Sequence, residues 1–131
     1  MLTDVHDELM RQVDGVLAAG VKPARIIIDP GLGFSKPSIE HNLPLLTGLE
    51  TFRGTGYPVL IGQSRKRFIS AMLTEAGAVG EDGPTMAQRD DVTAALSALS
   101  AEHGAWAVRV HDVAKSHAAV IAGNIWRQYL S

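Results

Sequence analysis

The sequence predicts an α/β fold, a small parallel sheet in which each of three strands hands over to a helix. Two observations carry that expectation. Three apolar runs, Ile26-Ile27-Ile28, Pro58-Val59-Leu60-Ile61 and Trp106-Ala107-Val108, each end in a polar cluster. The clusters are Asp29-Pro30-Gly31-Leu32-Gly33-Phe34, Gly62-Gln63-Ser64-Arg65-Lys66 and Arg109-Val110-His111-Asp112. The runs are also apolar throughout rather than alternating, as in parallel strands covered on both faces. Parallel α/β architectures gather their chemistry at the carboxyl ends of the strands, where helix N-termini and loops converge. Asp, Lys, Arg and His at three such ends make that face the candidate active site.

The elements follow in order. Leu2, Val5, Leu9, Val13, Val16 and Leu17 recur at helical spacing, and Gly20 is a C-terminal stop. Pro23 precedes a first strand, Arg25 to Asp29. Asn42 is placed to cap a helix with Pro44 in its first turn and Leu45, Leu46 and Leu49 inward; Gly54 and Gly56 end it before the second strand. After Lys66, a helix carrying Phe68, Ile69, Met72 and Leu73 fades into Gly77, Gly80 and Gly83-Pro84, a stretch of about 15 residues expected to be a mobile surface loop. A helix from Ala87 to His103 turns Val92, Ala95, Leu96 and Leu99 inward and closes at Gly104. The third strand runs from Ala105 to Val110, and Asp112 caps a last helix carrying Val113, Val120, Ile121, Ile125 and Trp126.

Three parallel strands leave two apolar edges with little protective charge. A chain that opens on a helix and contains three βα units reads as the end of a larger barrel, and a TIM-type (β/α)8 barrel takes about 250 residues. The expectation is the C-terminal part of such a barrel, about three βα units, with residues 1–131 a single domain fragment lacking the N-terminal strands.

Composition narrows the function classes. With 131 residues and 46% apolar content, the chain is long enough for one domain with a real core. A net charge of −2 and a pI near 6.2 speak against nucleic-acid binding through bulk electrostatics. The absence of cysteine excludes thiol catalysis, thiolate metal sites and a disulfide framework. The acidic opening, Met1-Leu2-Thr3-Asp4-Val5-His6-Asp7-Glu8, lacks the features of a signal peptide. No apolar run approaches the roughly 20 residues of a membrane span. A cytoplasmic protein is expected.

Each cluster admits two readings. Pro30 and the two glycines after it, Gly31 and Gly33, force a tight turn, and Asp29 either accepts two hydrogen bonds from the N–H pair of a heterocycle or braces the turn through its own backbone. Phe34 is either core or an apolar wall for a flat ligand. Gly62 allows close packing, and Ser64 is placed to cap the following helix. Three consecutive basic residues, Arg65, Lys66 and Arg67, at a first helical turn oppose the macrodipole, a choice better explained by a bound anion than by stability. The alternative is a capped helix with solvated basic side chains. Arg109 and His111 share one strand face, where they suit stacking on an aromatic ligand and contact with phosphate. The alternative is a salt bridge from Arg109 to a neighbouring acid.

Taken together, these residues resemble dihydropteroate synthase, the folate-pathway enzyme inhibited by sulfonamides, and most of all its actinobacterial members. The resemblance rests on Asp29-Pro30-Gly31-Leu32-Gly33-Phe34-Ser35-Lys36, then His41-Asn42, then Gly62 to Lys66, then Arg109 to Val113, and spans essentially the whole chain. It implies the last three strands of a (β/α)8 barrel and a transferase that joins 6-hydroxymethyl-7,8-dihydropterin diphosphate to p-aminobenzoate, releasing pyrophosphate. Lys66, Arg109 and His111 are then the expected catalytic residues. Asp29, Gly33, Phe34, Gly62, Lys66 and Arg109 would bind the pterin, with Arg109 stacked over it. Arg109 and His111 would hold the diphosphate, and Ser64, Arg65 and Arg67 would serve p-aminobenzoate. Mg2+ would support the leaving group, with its ligand outside this segment. The partners implied are these small molecules and, for the full-length protein, a second copy in a homodimer.

Two departures from the family pattern stand out. Many members carry Ser after the motif lysine where this chain has Arg67, and Asp91-Val92-Thr93 lies where a Gly-Thr pair is common. The 131 residues alone are expected to be inactive and poorly stable. Other readings are a non-catalytic pterin- or phosphate-binding half-barrel, an inactive synthase paralogue and a pterin-dependent methyltransferase.

Overall fold

The computed structural model describes residues 2–32 and 38–130. Gly33 and Phe34, both expected at the site, lie outside the described residues. Helix α1, Leu2–Ala18, buries Val13, and Leu2, Val5, Leu9 and Leu17 pack beside it against the core; Val16 is exposed. Gly20 stops the helix through a positive φ of 101°. Its N–H donates to the Leu17 carbonyl (3.0 Å) and that of Val21 to the Val16 carbonyl (3.2 Å), so two orphan carbonyls of the last turn are satisfied.

The first strand is shorter than expected. Pro23, with its fixed φ, opens a 3-10 turn over Pro23–Arg25, and pairing is confined to a bridge between Ile28 and Val59. The Ile28 N–H donates to the Pro58 carbonyl (2.9 Å), and the Ile28 carbonyl accepts from the Leu60 N–H (2.8 Å). Strands β1, Leu60–Ile61, and β2, Ala107–Val108, pair in parallel with Leu60 opposite Ala107 and Ile61 opposite Val108. The Arg109 N–H extends the ladder by donating to the Ile61 carbonyl (2.9 Å). All three segments therefore run the same way, with β1 in the middle.

Helix α2, Ile39–Thr47, starts earlier than the position of Asn42 suggested. Ser38 is its N-cap, accepting from the His41 N–H (3.3 Å), while Asn42 is buried inside the helix and its Nδ2 donates to the Ser38 carbonyl (2.7 Å). Pro44 thus stands in the interior of α2 rather than in its first turn. Gly48 separates α2 from a short α3, Leu49–Arg53, whose Leu49 and Phe52 are fully buried, and Gly54 ends it as expected. Helix α4 is Arg67–Glu75, and residues 76–85 connect it to α5, Met86–Glu102. The start of α5 is a capping box, in which Thr85 Oγ1 accepts from the Gln88 N–H (3.1 Å) and Gln88 Oε1 from the Thr85 N–H (2.8 Å). Helix α6, Val113–Gln128, is capped by Asp112 as the sequence predicts, its carboxylate accepting from the Lys115 N–H (3.1 Å).

Coverage of the sheet corrects one expectation. Ile26, Ile28, Val59 and Ile61 alternate onto the face that packs against the helices and are buried with Leu45, Leu46, Leu49, Phe52, Phe68, Ile69 and Leu96. Ile27, pointing the other way, is 49% exposed. Among the described residues the helices therefore cover one face of the sheet, not both.

Helix α5 corrects another. Of Val92, Ala95, Leu96 and Leu99, Leu96 is buried and Val92 packs half-buried against the core, but Ala95 is exposed and Leu99 is 56% exposed. The buried residues are Asp90, Thr93, Leu96, Ser97, Ser100 and Ala101: Asp90 and Thr93 meet Arg65, while Ser97 and Ala101 are small where α5 lies close against α6. Gly123 of α6 fixes that spacing: a Cβ there would run into the Ala98 carbonyl oxygen and sit 3.1 Å from the Ala101 Cβ. Gly123→Ala is therefore expected to destabilise the protein by about 1–3 kcal/mol through overpacking, read as a lowered midpoint in urea unfolding. No helix among the described residues is long and apolar enough to cross a membrane.

Candidate functional site

Parallel pairing brings the described residues of the three polar clusters to one end of the sheet. Alternation from the buried Val59 and Ile61 sends Leu60 and Gly62 to the opposite face, and the register carries Ala107, Arg109 and His111 with them. Gly62, Ser64, Arg65, Lys66, Arg109, Val110 and His111 line an open cleft of about 640 Å³ at this end. Helix α4 begins immediately after Lys66 and helix α6 two residues after His111, so two helix N-termini adjoin the cleft. Both favour negative charge there.

The Arg109 side chain is exposed and has no ion pair or hydrogen bond among the described residues, so among them it does not form the salt bridge of the alternative reading. Its guanidinium lies against Gly62, where a Cβ would stand 3.4 Å from Nη2 and 3.6 Å from Nε. Gly62 thus provides the flat ledge over which the guanidinium plane is laid. Ser64, expected to cap α4, instead crosses to the third strand. Its hydroxyl lies 2.8 Å from His111 Nδ1 and accepts from the His111 N–H at 3.2 Å. The N-cap position belongs to Lys66, which makes no side-chain cap; the helix begins two residues too late for Ser64 to reach it.

The three basic residues separate into different roles. Only Arg67 lies within the first turn, and it is exposed. Lys66 is half-buried at the N-cap, its N–H donating to the Gln63 carbonyl (3.2 Å). Arg65 has a φ of 57°, uncommon for a side chain with a Cβ. Asp90 holds it there: Nε donates to one carboxylate oxygen (2.9 Å) and Nη2 to the other (3.1 Å), while the Arg65 N–H donates to Thr93 Oγ1 (3.4 Å). A left-handed residue between Ser64 and Lys66 reverses the chain so that both neighbours face the cleft. Strain held by a two-pronged ion pair at such a turn is characteristic of functional sites.

The Arg65 hydrogen bonds hold the Asp90 carboxyl below its ordinary value, against the opposing effect of burial, and the Lys115 ammonium acts in the same sense. Asp90 in turn raises the Arg65 guanidinium. A carboxylate with a depressed folded pKa stabilises above its unfolded value and loses that contribution as pH falls through the folded one. The Tm advantage of the natural protein over Asp90→Asn is therefore expected to hold between about pH 5 and 8 and to shrink below about pH 4, as followed by thermal melts across pH.

Asp29 fits its local reading: Oδ1 accepts from the Gly31 N–H (2.9 Å), bracing the turn where Gly31 has a φ of 76°. It stands at the same strand end as the cleft but is not among the cleft-lining residues, and Oδ2 has no partner among the described residues. Sequence reasoning missed a buried polar chain below the site. Gln63 Nε2 donates to Ser97 Oγ (3.2 Å), which is 3.1 Å from Ser116 Oγ, so the second strand end is tied to both α5 and α6. The signal was there in the polar residues at helical spacing on α5, Thr93, Ser97 and Ser100, which a search for apolar stripes passes over.

A flat cationic ledge with a histidine and a lysine at strand ends has the chemistry to hold an anionic, ring-bearing ligand. The chain belongs to the pterin binding enzyme family, whose model matches residues 1–111. Within that family its relatives are dihydropteroate synthases. It is 46% identical to the Mycobacterium leprae dihydropteroate synthase over 126 residues, 96% of this chain and 43% of that protein. The Coxiella burnetii synthase, solved with pteroic acid, superposes with a TM-score of 0.86 at 32% identity over 97% of this chain and 43% of its own. The Xanthomonas albilineans synthase, solved with 7,8-dihydropteroate, gives 0.81 at 34% identity over 98% of this chain and 47% of its own. The chain thus spans less than half the length of these relatives.

Proposed function

We propose that this chain forms one sector, about three βα units, of the (β/α)8 barrel of a dihydropteroate synthase, and that its cleft binds the diphosphate and one face of the pterin. The observation that carries the reading is the convergence of Lys66, Arg109 and His111 on one cleft at the carboxyl ends of parallel strands. Arg109, laid on Gly62, offers a planar cation to the pterin ring and the diphosphate together. His111 donates to the diphosphate, and Lys66 at the start of α4 reaches the pterin and the amine acceptor. Asp29 keeps Oδ2 for the amino-pyrimidine edge. Of the three residues assigned to p-aminobenzoate, Ser64 and Arg65 already have partners in His111 and Asp90, so the carboxylate contact falls to the exposed Arg67.

The reaction forms a bond from the arylamine nitrogen to the methylene carbon of the pterin and breaks that carbon's bond to the diphosphate oxygen. Pyrophosphate leaves with the electron pair and the amine proton is lost to solvent. The cations of the cleft stabilise the charge that builds on the leaving group, the largest effect they can contribute. The arylamine is already nucleophilic, so no general base is needed. Mg2+ belongs to the same proposal, but the described residues include no group of three or more His, Asp or Glu that could hold it, and no step is derived through it. A cytoplasmic homodimer completes the proposal, with the exposed Ile121, Ile125 and Trp126 of α6 as its surface.

The test is to join these 131 residues to the portion of the Mycobacterium leprae synthase that they do not match. Pteroate formation by the joined protein, and none by the 131 residues alone, is the expected result. A folded joined protein without activity would contradict the reading.

A further inference from the structure

Ser64 is oriented by the last strand rather than by its own helix. Its hydroxyl is buried, at 6% exposure, and within reach of two atoms of one residue, His111 Nδ1 at 2.8 Å and the His111 N–H at 3.2 Å. The N–H can only donate, so Ser64 Oγ accepts from it. The hydroxyl proton then needs an acceptor, and among the described residues the one within hydrogen-bond distance is His111 Nδ1. Were Nδ1 protonated instead, Oγ would accept twice and its own proton would be buried without a partner, at a cost of about 1–3 kcal/mol. The neutral imidazole therefore carries its proton on Nε2. That nitrogen has no partner among the described residues, and the ring lines the cleft with Arg109 and Lys66.

We infer that Ser64 is a positioning residue: by donating to Nδ1 it fixes His111 in the tautomer that presents Nε2–H to the diphosphate oxygens. The inference rests on the assignment of the cleft to diphosphate, and reassigns Ser64 away from p-aminobenzoate. It also gives the Ser64-Arg65-Lys66 turn a unified logic. The left-handed Arg65, clamped by Asp90, lets the residue before it reach back to His111 while the residue after it opens α4.

Nitrogen-15 NMR of the histidine rings at neutral pH, without ligand, tests the tautomer directly. His111 is expected to show an unprotonated Nδ1 and a protonated Nε2, and Ser64→Ala to convert this to a mixture. Titration with inorganic pyrophosphate then reads the consequence: Ser64→Ala should weaken binding roughly fivefold, the loss of one hydrogen bond's orientation. His111→Gln, whose terminal NH2 stands in for Nε2–H, should retain more binding than His111→Asn, whose NH2 stands in for Nδ1. A protonated Nδ1 in the natural protein, an unchanged ring pattern in Ser64→Ala, or Asn outperforming Gln would overturn the inference. Correct tautomer signals with no pyrophosphate binding by the natural protein would overturn the role at the diphosphate and, separately, the diphosphate assignment itself.

Discussion

Arg109→Ala is expected to lower the rate of pteroate formation by about 10²–10³-fold in the protein joined to its Mycobacterium leprae complement, the range seen when one preorganised donor to a developing anion is removed. Among the described residues the side chain has no ion pair or side-chain hydrogen bond to lose: it is exposed and lies against Gly62. Its removal should therefore leave the urea midpoint nearly unchanged, which separates a functional loss from an unfolding one. Arg109→Lys tests the geometry. An ammonium keeps the charge but offers neither the planar surface for the ring nor the paired donors for phosphate, so it should recover only part of the rate.

Phe68→Ala is expected to have the largest effect on stability, about 3–5 kcal/mol. Phe68 is fully buried in the first turn of α4, two positions after Lys66, and Ile69 beside it is equally buried. The N-cap residue Lys66 makes no side-chain cap, so the burial of these two residues is a main hold on the helix start. A loss of this size is a large part of the 5–15 kcal/mol typical of a domain. Urea unfolding would read it, and milder Phe68→Leu should weaken pyrophosphate binding more than Gly123→Ala does, because α6 packing at Gly123 lies away from Lys66.

The placement of the polar clusters was legible in the sequence because strand ends and helix starts are marked by short-range signals. Asp112 capping α6, Gly20 stopping α1 and the three strand-end clusters all follow from residues within a few positions of one another. Pairings across the chain were not legible. Ser64 reads as a helix cap until His111, 47 positions away, is brought beside it; Arg65 reads as a free cation until Asp90, 25 positions away, takes both prongs of its guanidinium. The burial of α5 was misread for a related reason. Its close approach to α6 at Gly123 suits Ser and Ala on the inner face, whereas an apolar periodicity search looks for Leu and Val. The first strand was overestimated because apolar content marks what is buried, whereas its pairing begins only beyond the turn opened by Pro23.

The most direct measurement is amide and side-chain NMR of the 131-residue chain titrated with inorganic pyrophosphate at low and moderate salt. Shifts concentrated at Ser64, Lys66, Arg109 and His111, absent from the outer face of α6 and weakened by Arg109→Ala, are the expected result. Shifts scattered over the exposed lysines and arginines, or none in a folded chain, would contradict an anion site built at the strand ends.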